Sequence, residues 1–132
     1  MKPESTPKEL LAMARGLLRR SSSQTAGLWP RATALLARQA LEIALAREWR
    51  AVHAGLAACP TRVQLLCLCE FSSDRELMTR ATHVWGALSD ACHHHAYAAP
   101  PGAAELEAWF ATVEQVAGLS ADLPVHTTAG PR

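Results

Sequence analysis

The residues best able to do chemistry lie together in Asp90-Ala91-Cys92-His93-His94-His95-Ala96-Tyr97. Three consecutive histidines on a helix point in three directions, so they cannot all be buried, and at least one faces a cleft or solvent. Imidazole titrates near neutrality, so His93, His94 or His95 is able to act as a general acid or base. Tyr97 is the single tyrosine, and its hydroxyl suits either a ligand or the loop that follows. A metal site here would have to recruit Cys92 or His83. Adjacent residues seldom chelate one ion, and zinc draws its ligands from separated positions, so no metal is assigned. The competing structural reading places the imidazoles at a helix C-terminus, where they meet free carbonyls. A second cluster is Arg80, His83 and Asp90. Spacings of three and seven put these on one helical face. An arginine and a histidine beside a phosphate can do phosphodiester chemistry; a solvated charged face is the plainer reading.

Other chemistries find no residues to carry them. The chain has no G-x-S-x-G, no Walker loop, no G-x-G-x-x-G and no H-E-x-x-H. No short glycine-containing turn precedes a basic recognition helix. Cys59, Cys67, Cys69 and Cys92 form no C-x-x-C pair, and in a reducing compartment they read as small buried apolar residues. Trp29, Trp49, Trp85 and Trp109 sit at helical positions that favour a core or a subunit interface over base stacking.

The elements that must position these residues are all helical. Thr6 is a natural N-cap, Pro7 fits the first helical position, and Glu9 completes a Thr-x-x-Glu capping box. The second helix runs from about Leu28 to about Gly55 and is apolar around most of its circumference. Its narrow polar stripe is Arg31, Arg38 and Glu42, so it is either central in its bundle or part of a subunit interface. A short helix follows over about Arg62–Phe71. Ser73-x-x-Glu76 reads as a second capping box, opening a helix that reaches Cys92. Pro100-Pro101-Gly102 enforces a loop, and a last helix spans about Ala103–Ala117. The expected fold is an all-α, antiparallel four-helix bundle with one additional short helix. Its expected limits are 7–118, with loose tails at 1–6 and 119–132.

Composition agrees. The chain has 132 residues, 49% of them hydrophobic, with a formal charge of +1. That is room for one core. Alanine supplies much of the apolar fraction, which predicts closely packed helices, and the single isoleucine, Ile43, argues against a sheet. Residues 1–50 carry a balance of +5 and residues 51–132 a balance of −4. Two complementary helical layers account for this split better than a phosphate-binding half, because no dense basic run exists. No apolar stretch follows the amino terminus to act as a signal peptide, and no window approaches the roughly 18 apolar residues of a membrane span. The expected location is the cytoplasm.

Two segments resemble HEPN domains (higher eukaryotes and prokaryotes nucleotide-binding). Leu35-Leu36-Ala37-Arg38-Gln39-Ala40-Leu41-Glu42-Ile43-Ala44-Leu45 is similar to the family's second helix. Trp85 through Tyr97 looks like the end of the third helix in a small actinobacterial branch. The resemblance covers about residues 7 to 118. It implies a four-helix bundle that often forms homodimers, and in many members a metal-independent RNase with an Arg-x4–6-His motif. The arginine of that motif holds the scissile phosphate and the histidine moves a proton. Here, with four intervening residues counted back from His95, the motif's arginine position is held by Asp90, an anion where the family has a cation. The literal match, Arg47 to His53, falls on the second helix. The resemblance therefore implies first a module that binds nucleotide, RNA or a protein partner, without a cofactor. Its site would lie around His93, His94, His95 and Tyr97, with Arg80, His83 and Asp90 contributing. The alternatives are an RNase using His95 or His93 with Arg80 as phosphate ligand, or a structural adaptor assembled through the second helix.

Overall fold

Thr6 stops the chain from fraying where the first helix starts. Its hydroxyl accepts the Glu9 N–H at 3.1 Å, and the Glu9 carboxylate accepts the Thr6 N–H at 3.2 Å. Both halves of the expected capping box are thus present, with Pro7 at the first helical position. The computed structural model describes residues 4–20, 29–93 and 99–122. Over these the chain forms α1 (Pro7–Arg19), α2 (Trp29–Val52), α3 (Ala54–Ala57), α4 (Thr61–Phe71), α5 (Arg75–Cys92) and α6 (Ala103–Asp122), with no strand among the described residues. The fold is an all-α helical bundle. No helix among the described residues is long and apolar enough to cross a membrane.

The apolar circumference of α2 has its explanation inside the chain. The helix packs against all five others. Ala34, Ala37, Ala40, Leu41, Ala44 and Leu45 are all buried. Alanine at four of these positions leaves no side chain to hold neighbouring backbones apart, so α1, α5 and α6 approach closely. α2 is therefore central in the bundle, with Leu35 and Val52 the large apolar side chains it leaves exposed. Leu10, Leu11 and Ala14 face it from α1, Met78, Ala81 and Leu88 from α5, and Phe110 and Val113 from α6. Each large side chain so buried contributes about 1.5–3 kcal/mol.

Three boundaries differ from expectation. α2 ends at Val52, because His53 turns extended (φ −154°, ψ 90°) before the single turn of α3. Gln64 holds that corner from α4, its amide donating to the carbonyls of Ala57 (3.2 Å) and Cys59 (2.8 Å). α5 is capped by Asp74 rather than Ser73. The Asp74 carboxylate accepts the Leu77 N–H at 3.0 Å, and the Ser72 hydroxyl accepts the Asp74 N–H at 3.2 Å. A carboxylate there also meets the positive end of the helix dipole. Finally, α6 continues past Ala117 to Asp122, with Leu119 packed against the core; Gly118 is tolerated inside the helix. Residues 123–132 lie outside the described residues.

Candidate functional site

α5 and α6 run antiparallel, packed through the core, and across them the Arg80 guanidinium donates to the Gln115 side-chain oxygen at 2.9 Å. Between the two helices lies a groove of about 400 Å³. Thr79, Arg80, His83 and Val84 form its α5 wall; Ala108, Trp109 and Thr112 form the other. Arg80 and His83 are exposed, Trp109 is half-buried and Thr112 is buried. One turn of helix separates the arginine from the histidine, so both present to the same opening. Gln115 is neutral, so it orients Arg80 without neutralising it. The His83 imidazole has no hydrogen-bond partner among the described residues. The groove surface is thus almost wholly apolar with an aromatic flank, and the cation and the imidazole stand at its edge.

The rest of the expected cluster is placed elsewhere. Asp90 is exposed near the end of α5, about 10 Å along the axis from His83, and does not line the groove. His93 caps α5 in extended conformation (φ −91°, ψ 135°), exposed, its N–H donating to the Asp90 carbonyl at 3.1 Å. Arg80 and His93 are thirteen positions apart, which is about 20 Å along one helix. A single chain does not bring them to one phosphate. His94, His95 and Tyr97 lie outside the described residues. Arg47 and His53 are split by the end of α2, so their motif spacing makes no site. Among the described residues no group of three or more His, Cys, Asp or Glu is placed to hold a metal ion.

The polar stripe of α2 faces the other side of α5. Arg31 donates to the Cys92 carbonyl at 3.0 Å and so caps α5 from a neighbouring helix. Arg38 and Glu42 pair at 3.4 Å, and the Trp85 indole donates to Glu42 at 3.3 Å. Burial pushes the Cys92 thiol up; Arg38 and Arg31 pull against this and Glu42 adds to it. A thiol held protonated is a poor nucleophile; the four cysteines, expected to be buried, are half-buried, with Cys67, Cys69 and Cys92 packed against the core. Across the bundle, Arg15 on α1 pairs with Glu114 and, at 3.5 Å, with Glu107 on α6, and lies over the Phe110 ring. The Glu114 hydrogen bond is the main cause of a raised Arg15 pKa. This is the attraction between basic and acidic layers that the charge split predicts.

Two features escape a reading by residue type. Trp109 and Thr112 share one flank of α6 at a spacing of three, but only the docking of α5 makes that flank a groove wall. Glu48 is 6% exposed, its Oε2 has no partner, and burial pushes its carboxyl up. Its signal was available: it continues the line of Ala37, Leu41 and Ala44 at helical spacing. No family model matches this chain, and no curated protein or solved structure does either.

Proposed function

We propose that this chain is a HEPN-like helical module that binds nucleotide or single-stranded RNA in the α5/α6 groove. One observation carries the reading: Arg80, His83 and Trp109 line a single opening. Arg80 supplies the positive charge for a phosphate. Trp109 offers a ring on which a base can stack, worth about 1–3 kcal/mol per base. His83 sits where a proton can be given to or taken from a bound phosphate or sugar hydroxyl. The resemblance of residues 35–45 and 85–97 to HEPN domains supports the same class of ligand.

The test is anisotropy of a short labelled single-stranded RNA at low salt, with the wild type, Arg80→Gln and Trp109→Leu. Trp109→Leu is expected to weaken binding about 5- to 160-fold, the range that the loss of one stacked base allows. Arg80→Gln is expected to weaken it across all sequences and to flatten the salt dependence by about one phosphate contact. Variants that bind like the wild type, or a wild type that binds nothing, would refute the proposal. Because Arg80 and His83 are one turn apart, the same samples are to be assayed for RNA cleavage in excess chelator beside His83→Ala and His95→Ala. Cleavage lost only in His83→Ala would assign the groove a catalytic role as well.

A further inference from the structure

Lys8, Arg15 and Arg19 share one stripe of α1, since spacings of seven and four return to the same helical face. Between that stripe and α6 lies a second groove, of about 500 Å³, a size that takes small ligands. Leu11 and Ala12 complete its α1 wall, and Glu114, Ala117 and Gly118 form the other. Small residues keep it open. A Cβ placed on Gly118 would meet no other atom within 4 Å, so α6 borders open space there instead of a neighbouring side chain.

The charges along this groove are unequal. Arg15 is engaged by Glu114 and Glu107 on α6. Arg19 folds back on the same end, its Nε donating to the Arg15 carbonyl at 3.4 Å. Lys8 lies about 16 Å from Arg19 along the helix axis. It is exposed and makes no ion pair with a described residue. The adjacent Glu9 carboxylate is turned to the Thr6 N–H, and the positive end of the α1 dipole adds to the field at Lys8. From Lys8 the groove continues over Leu11, Ala12, Ala117 and Gly118, with no acid and no aromatic ring at that end. A free cation at the end of an elongated apolar floor complements an anion with an unbranched alkyl tail. We infer that the α1/α6 groove binds a medium-chain fatty acid, its carboxylate at Lys8 and its chain along that floor. The exposed ion pair contributes little and sets the direction of binding; burial of the chain supplies most of the affinity. This site is independent of the α5/α6 groove.

Calorimetric titration of the full chain with decanoate, kept below its micelle concentration, tests the inference. Saturable binding is expected below about 1 mM. Acetate, which has the head without the tail, should give none, and decyltrimethylammonium, which reverses the charge, should bind about tenfold more weakly. Lys8→Glu turns attraction into repulsion and should weaken decanoate binding about 5- to 30-fold. Arg19→Glu, beyond the screening length from the head group, should change it less than about twofold. Gly118→Met fills the groove and should abolish binding; methionine favours a helix over glycine, so its melting temperature should not fall, which is the control for folding. This substitution leaves the α5/α6 groove untouched. A wild type that binds no decanoate would overturn the inference. So would binding that persists in Gly118→Met, or an equal loss in Lys8→Glu and Arg19→Glu.

Discussion

Replacing Glu48 by leucine should make this protein more stable, against the usual direction of core substitutions. Glu48 is 6% exposed, its Oε2 has no partner, and desolvation is the one cause acting on its pKa, upward. No cation offsets the buried charge. An unsatisfied buried acceptor costs about 1–3 kcal/mol, more when charged, and leucine removes it at similar volume. For a chain of this size 1 kcal/mol moves the melting temperature by roughly 3–6 °C, so Glu48→Leu should raise it by about 3–18 °C near pH 8. Glu48→Gln should gain less, because its amide still lacks partners. The pH dependence has a definite sign. A carboxyl whose folded pKa lies above its ordinary value of 4.5 makes the folded state bind more protons than the unfolded one between those two values. Wild-type stability is therefore greatest, as far as this group decides, below pH 4.5. It falls as pH rises through the folded pKa and then levels off. The advantage of Glu48→Leu should be smallest in acid, grow through that window and stay constant above it. Far-UV circular dichroism melts across the pH range measure this. A variant that melts at or below the wild type near pH 8, or a gain that does not change with pH, would refute the reasoning.

Two further outcomes follow from the helix ends. Asp74→Ala should destabilise the chain by about 1 kcal/mol in a denaturant titration, since it removes the carboxylate that accepts the Leu77 N–H; Ser73→Ala should change almost nothing, and the reverse order would restore the Ser73 cap. Arg31→Met should leave the Cys92 carbonyl without its donor and, by hydrogen exchange, speed local opening of the last turn of α5 more than that of α2, whereas uniform acceleration would mean that Arg31 serves global stability instead.

Much of this molecule is written locally. Thr6, Pro7 and Glu9 place the start of α1 because all the partners of the capping box lie within one turn. Alanine content and helical periodicity identify a closely packed all-α bundle because each helix buries a stripe that its own sequence defines. The antiparallel attraction of a basic first half for an acidic second is visible in the charge balance, and Arg15 with Glu107 and Glu114 realises it.

The choices between alternatives needed the tertiary structure. An apolar α2 fits a bundle centre or a subunit interface equally well, and only the packing of five helices around it settles the first. Arg80 and His83 are adjacent by spacing alone, but their joining with Trp109, and the separation of Asp90 and His93 from them, depends on how α6 lies along α5. The physical reason is one of range. Hydrogen bonds within a turn and the period of a helix act over a few residues, which the order of amino acids states directly. Burial, desolvation and the shape of a groove are set by residues far apart in the chain, and they come into being only when the helices pack.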